Sequence, residues 1–372
     1  MSDDAFCSFV PMEYVEELFG TIRQKDTRRV GEVKKGYTFF RENDVLFAKI
    51  TPCMENGKCA VARNLTNGIA FGSTEYHVIR AGNDIVPAWI FYFLRQEKVR
   101  QDAKQWFRGT AGQQRVPADF LEQLGIYLPP LSEQQRIAAI LQKADRIRRL
   151  RHLTRQLSDS FLQSVFLEMF GEKGGDVKKW NVISLGKVVE INPPGRTKGS
   201  SNQLSSFLPM TMVNPSAIFT EELEVRKFSD VSVGYTYFEN GDVLFAKITP
   251  CMENGNIVVA KNLINGFGFG STEFHVIRPN EKANSYWLYG LVKLLKFREQ
   301  AKQWFRGTAG QQRVPSDFLE EYNIALPPIE LQNSFADIVI KFNKFRIECR
   351  EAERQAENLF QSLLRRAYAG GL

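Results

Sequence analysis

Two short runs carry side chains suited to a polyanion or to the edge of a base pair. The first places Lys49 and Thr51 on one strand face, with Glu55 and Asn56 following at a turn; the second is a loop from Arg108 to Arg115 that holds Gln113, Gln114 and two glycines. Asparagine pairs with adenine, glutamate accepts from the cytosine amino group, and lysine or arginine suits guanine or phosphate. Glycines let backbone amides approach phosphate oxygens closely. Both runs return 198 residues later, as Lys247, Thr249, Glu253 and Asn254, and as Arg306, Gln311, Gln312 and Arg313. A blander account exists for each: Asn56-Gly57 makes the turn, Glu55 pairs with Lys49, and the loop is only a loop. Polar residues kept in both copies, while the rest of the chain has drifted, favour nucleic-acid contact for the loop.

Catalytic alternatives find little support. There is no GxxxxGK[ST] phosphate loop, and the glycines of Gly266 to Gly270 lie in a strand-like repeat rather than between a strand and a helix. Asn192-Pro193-Pro194-Gly195 resembles an amino-methyltransferase motif but lacks the aromatic that stacks on a flipped base. His77, His152 and His275 form no cluster, and His77 and His275 hold the same repeat position, which suggests a structural role. No cofactor and no metal are expected. Five cysteines without a CxxC pair read as reduced thiols, not as a disulfide framework or a zinc ribbon. A formal charge of +7 is compatible with a nucleic-acid partner without requiring one. No stretch resembles a leader or approaches the length of a membrane span, so a cytoplasmic protein with no membrane partner is expected.

The elements that position these side chains follow from the repeat. The run from Asp44 to Gly57 is identical to that from Asp242 to Gly255, and Lys104 to Pro117 is identical to Lys302 to Pro315, always at an offset of 198. Such a period means a duplicated domain with its connector rather than a solenoid. From Gly36 to Arg80, apolar and polar residues alternate between Asn-Gly and Thr-Pro punctuation, a strand pattern; Pro87 to Phe107 has helical spacing, with Trp89, Ile90, Phe93 and Leu94 as its apolar stripe. A long helix is expected after Pro130, opened by a capping box of Ser132 and Gln135. Its second copy offers a seam of Phe335, Ile338, Phe342, Phe345, Cys349, Ala352, Ala356, Leu359 and Leu363. The first copy has Ile137, Ile140, Ala144, Ile147, Arg151, Thr154, Ser158, Phe161 and Val165 there, so the middle of any pairing is polar. Arg146, Arg148, Arg149, Arg151 and Arg155 are expected on a solvated face, with phosphate contact as the alternative. The second copy is led in by Trp180 to Gly195, a stretch for which the first has no counterpart, and its opening strands are expected to be missing.

In order, GYTxF, DVLFAKITPCMENG, FGSTEFHVIR, GTAGQQRVP, LPPLSEQQRIAAIL and a long helix resemble the specificity subunits of Type I restriction-modification systems, nearly end to end and twice over. That resemblance implies an α+β fold, with two repeated mixed α/β target recognition domains joined by two long helices forming an antiparallel coiled coil. The domains are expected at 1–130 and 173–328, and the spacer helices at 131–172 and 329–372. It also implies a non-catalytic partner of double-stranded DNA that reads a bipartite, gapped site. Two methyltransferase subunits, which use S-adenosylmethionine, and the restriction subunits of the full complex would be its protein partners.

Overall fold

The computed structural model describes residues 2–110, 112–171, 180–195, 200–308 and 310–372, the side chain of Asp159 apart. The expected boundary between a first helix and a second domain, at 172–173, lies outside the described residues. The chain divides into two compact units. Unit 1 is Met1–Leu153 with Glu351–Leu372, and unit 2 is Thr154–Arg350.

Among the described residues of unit 1, seven short strands form two sheets. Strands β1 (Phe6–Val10), β2 (Asp26–Arg29), β3 (Thr38–Arg41) and β6 (Ile69–Gly72) lie in the order β2-β1-β6-β3, with β1 and β6 parallel. Strands β4 (Val45–Ala48), β5 (Cys59–Val61) and β7 (Tyr76–Ile79) form an antiparallel sheet in the order β5-β4-β7. Asn67 and Gly68 both have positive φ, the turn chemistry that Asn-Gly supplies before β6. At the end of that strand a Cβ on Gly72 would meet the Val10 carbonyl at 2.3 Å, so only glycine lets β1 and β6 approach. The core between this sheet and the helices gathers Val45, Phe47, Met54, Trp89, Phe91, Phe120 and Leu141. The helical stretch after Pro87 is two helices, Pro87–Leu94 and Glu97–Gln105, because Gln96 is extended between them. That break leaves the Arg95 guanidinium free to tie down the carbonyls of Glu17, Leu18 and Gly57.

Unit 2 repeats the plan and adds to it. Strands β8 (Val182–Ser184) and β9 (Val189–Ile191) precede β10 (Leu204–Leu208), β11 (Glu224–Lys227), β12 (Thr236–Glu239), β13 (Val243–Ala246), β14 (Ile257–Val259), β15 (Phe267–Gly270), β16 (Phe274–Pro279) and β17 (Asn323–Ala325). The sheets run β11-β10-β15-β12, β14-β13-β16-β9 and β17-β8. Gly266 to Gly270 is therefore turn and strand, as its repeat position suggested. Asn192, from the motif that looked like a methyltransferase signature, spends its amide on His275 and on the Val276 amide.

The two long helices, Leu131–Phe170 and Ile329–Tyr368, have 40 residues each, about 60 Å at 1.5 Å per residue. The first begins one residue before Ser132, and the side chain that anchors its start is Gln134, not the expected box. Fully buried, Gln134 accepts from the Val86 amide and donates to the carbonyls of Asp84 and Pro129, and Gln332 does the same in the second copy. The helices pair antiparallel within each unit: Arg148 meets Glu357 and His152 meets Glu353 in unit 1, while Phe161 meets Phe342 and Phe166 meets Phe335 in unit 2. The expected seam is half right. Phe335, Phe342, Cys349 and Ala356 are buried, but Phe345 and Leu359 are about half exposed, and Val339, Arg346, Phe360 and Leu364 are buried in the alternate places. Likewise Leu141 and Arg148 turn inward where Ile147 does not. Arg148 thus leaves the solvated face it was assigned.

Candidate nucleic-acid interface

Backbone pairing brings the two polar runs of unit 1 together. The Thr51 amide donates to the Gln114 carbonyl at 2.9 Å, the Val116 amide to the Lys49 carbonyl at 2.9 Å, and the Gln114 amide to Thr51 Oγ1 at 3.2 Å. Arg108 and Arg115 close the loop on itself with reciprocal amide-to-carbonyl bonds of 3.0 and 2.9 Å. Gly109 and Gly112 have φ of 121° and 88°, and a side chain at either would be strained. Unit 2 builds the same ladder from Lys247, Thr249, Gln312 and Val314, and the same loop closure from Arg306 and Arg313. One atom differs: Thr249 Oγ1 is buried without a hydrogen-bond partner.

Most of the charges in these runs are met by acids of their own unit. Arg115 makes a bidentate pair with Glu75, and Arg313 does so with Glu273, the shortest contacts being 2.8 and 2.7 Å. The arginine hydrogen bonds hold both carboxyls below the usual glutamate range, with Lys49 and Lys247 adding to the effect. Burial lowers the Lys247 ammonium. Arg108 and Arg306 reach Asp119 and Asp317, each at 3.0 Å, while remaining about two-thirds exposed. Glu55 pairs with Lys104 at 3.1 Å rather than with Lys49, and Glu253 pairs with Lys302. The side chains of Gln113, Gln114, Gln311 and Gln312 make no hydrogen bond among the described residues, and Gln113 and Gln311 are exposed.

Not every expected residue joins this cluster. Asn56 donates to Glu17 and lines a cavity of about 180 Å3 with Arg95, Arg100, Arg148 and Glu357, facing the long helices of its unit. Asn254 lines a cavity of about 240 Å3 with Arg298 and Arg346 in the same way. Glu75 and Glu273 were not singled out from the sequence, although each is the one acid in an FGSTE run present in both copies. His77 and His275 are structural as expected, each with Nε2 against the carbonyl of Val116 or Val314 at 2.8 Å. Burial lowers both, His275 to about 4. All five cysteines are free thiols. Among the described residues no group of His, Cys, Asp and Glu is placed to hold a metal ion, and no helix is long and apolar enough to cross a membrane.

The chain is similar in sequence and in fold to known proteins. The chain is 36% identical over 178 residues to the specificity subunit of the Type I restriction enzyme EcoAI from Escherichia coli, a match covering 48% of this chain and 30% of that one. The EcoEI specificity subunit of the same organism is 35% identical over the same length, covering 48% and 29%. The chain's match thus spans less than a third of those relatives. A putative specificity subunit, MjaX of Methanocaldococcus jannaschii, is 22% identical over 85% of this chain and 77% of its own. Among solved structures, the fold is shared with a chain from a study of complex assembly and conformational transition in the type I R-M system, at a TM-score of 0.59, 20% identity and coverage of 100% and 93%. It is shared also with the Type-I restriction-modification system S subunit of M. genitalium, at 0.53, 12%, 99% and 90%. The family model for the Type I restriction modification DNA specificity domain matches twice, at residues 20–157 and 177–357. Since both copies of the repeat are matched, over most of the sequence, the chain belongs to the Type I restriction-modification DNA specificity domain family.

Proposed function

We propose that this chain is the non-catalytic, sequence-reading subunit of a Type I restriction-modification assembly. It binds duplex DNA through two equivalent loop surfaces, and directs methyltransferase subunits, with restriction subunits in the full complex, to a bipartite gapped target. The reading domains would be 1–130 and 173–328, with spacer helices in 131–172 and 329–372 setting the gap. The observation that carries the reading is the twofold occurrence of one polar surface. Unpartnered glutamines stand beside an exposed arginine on a glycine loop, first at 108–115 and again at 306–313. Exposed amides and a guanidinium there fit phosphate and base edges. Because the surfaces are identical, the two half-sites should be near inverted complements under a pseudo-twofold relation. Mapping methylated bases in native DNA from cells carrying the system tests this: a gapped, nearly palindromic motif is expected, and two unrelated halves would overturn the shared-surface assignment.

A second reading is favoured by the ion pairs. With Arg115 and Arg313 already held by Glu75 and Glu273, the identical runs would serve as framework and phosphate contact. Base choice would then fall to the segments that differ most, 13–32 and 211–230. The same mapping separates the two readings.

A further inference from the structure

Between residues 19 and 25 the first copy of the repeat takes a path that the second does not. In unit 2 the counterpart segment runs along the edge of β14. The Val259 amide donates to the Ile218 carbonyl at 2.8 Å, the Thr220 amide donates to the Val259 carbonyl at 3.2 Å, and Phe219 bridges Val259. Ile218 is fully buried, and the Phe219 ring packs on Tyr286 with the Lys261 ammonium 4.6 Å from its centroid. In unit 1 Gly20 stands where Ile218 does, at a φ of 63° that glycine tolerates and a branched residue does not. A Cβ there would lie 2.4 Å from the Cys59 carbonyl oxygen. The chain therefore turns back on itself, with Val15 bridging Ile22, and among the described residues no bridge forms to Val61. Val61 is left half-buried, where Val259 is 2% exposed.

The bare edge opens onto a cavity of about 380 Å3, within the roughly 300–1,000 Å3 of small-molecule sites. Four cations line it: Lys25 and Arg63 from the sheet side, Arg146 and Arg149 from the first long helix. Asp145 is the one acid in the lining, and it is already met by Arg148 at 2.8 Å and Arg149 at 3.6 Å. Lys25 donates to the carbonyls of Arg63 and Asn64 at 2.9 and 2.8 Å, which pins the loop that presents Arg63. Arg63 and Arg146 are exposed and make no hydrogen bond or ion pair among the described residues. This charge is no relic of the duplication, since Lys25 and Arg149 correspond to Leu223 and Ile347 in unit 2. We propose that the cavity binds a compact anion bearing two or more phosphoryl groups. The guanidinium forks of Arg63 and Arg146 take phosphoryl oxygens in pairs, and Lys25 and Arg149 balance the remaining charge. The phosphoryl groups come from the backbone of a bound duplex or from a free polyphosphate, which the same side chains recognise alike. Because unit 2 is built differently here, one site per chain is expected, apart from the twin loops and whatever they read.

The test titrates inorganic pyrophosphate into the full chain, without DNA, in a calorimeter. One pyrophosphate per chain is expected. Arg63→Ala and Arg146→Ala should each weaken it at least tenfold and together abolish it, with the melting temperature unchanged because neither side chain has an internal hydrogen bond to lose. Repeating the titration with duplex DNA separates the two sources. A duplex that displaces pyrophosphate, and that binds the double variant at least tenfold more weakly, supplies the phosphoryl groups itself. A duplex that binds beside pyrophosphate, and binds the double variant as well as the parent, leaves the site to a free polyphosphate. Three results would each overturn the proposal: no uptake of millimolar pyrophosphate by the folded chain, uptake that the double variant retains, or two equivalents per chain, which would place the anion on the twin loops. Uptake of pyrophosphate by a chain that binds no duplex would instead sink the DNA-reading function and leave this site standing.

Discussion

Arg115 and Arg313 illustrate how one side chain can serve two ends. Each guanidinium spans a carboxylate and the loop's own carbonyl at Gln113 or Gln311, so it fixes the loop whether or not it also meets DNA. The roles separate by substitution. Arg115→Ala should weaken duplex binding by about 1 to 3 kcal/mol if the arginine touches DNA. Glu75→Gln, which frees the arginine without removing it, should then cost far less in a filter or fluorescence assay; equal losses would assign Arg115 to loop anchoring alone. His275 supports a pH prediction. Its folded value is about 4 and the unfolded reference is near 6.5, so the unfolded chain binds the extra proton first, and stability falls as pH drops through that window. The loss should approach about 3 kcal/mol by pH 4. Because Glu75 and Glu273 are held low, their contribution begins to be lost only near the acid end of the window and continues to fall below it. Denaturant melts at pH 7 and 5 should show a slope that His275→Gln flattens, and an unchanged slope would place the titrating group elsewhere. At this scale the sequence displayed the lysines, arginines and glutamines. It did not display their acids, because which carboxylate faces Arg115 depends on the pairing of β4 with β7, forty residues away in the chain.

The long helices are held by polar contacts as well as by packing. Arg148 is 4% exposed, makes two hydrogen bonds to Asp145, meets Glu357 at 3.1 Å, donates to the Leu18 carbonyl and stacks on Phe19 and Phe360. Removing one member of such a set leaves a buried charge uncompensated. Arg148→Met should therefore destabilise unit 1 by about 3 kcal/mol in a denaturant melt, and Asp145→Leu added to it should recover a large part. A change under 1 kcal/mol for the single variant would mean that Asp145 stays compensated without Arg148, by Arg149 at 3.6 Å or by water. Hydrophobic periodicity found both helices, while their antiparallel relation was implied by the family resemblance. It misphased alternate seam positions because Arg148 and Arg346 occupy inward places that an apolar pattern cannot mark, while Ile147 and Phe345 face outward. The capping segment misled for a related reason: Ser132 has the type expected of a cap, but Gln134 has the reach to the carbonyl of Asp84.

At the scale of the whole chain, the repeat made the architecture legible from sequence, whereas the division into units was not. Each compact unit takes half of each long helix, so neither helix belongs to one repeat alone. Charge on the helices adds a constraint. Arg148 and His152 meet Glu357 and Glu353, and the positions equivalent to those acids in the first helix are Asp159 and Arg155. A first helix facing its own copy would set Arg148 against Asp159, a complementary pair, but His152 against Arg155. A second helix facing its own copy would set Arg346 against Glu357 and Arg350 against Glu353, a complementary match. This bears on how such a gene can change. Two identical fourteen-residue runs in register invite recombination between their coding sequences, and the product loses 198 residues in frame. Deleting 50–247 joins Lys49 to Ile248 and keeps one polar surface with the second helix. That shortened chain should sediment as a dimer, whereas a chain that stops at residue 171, with the first helix alone, should associate more weakly. A truncation that would silence most two-domain proteins would here leave a self-complementary half, able to restore twofold symmetry with a sibling.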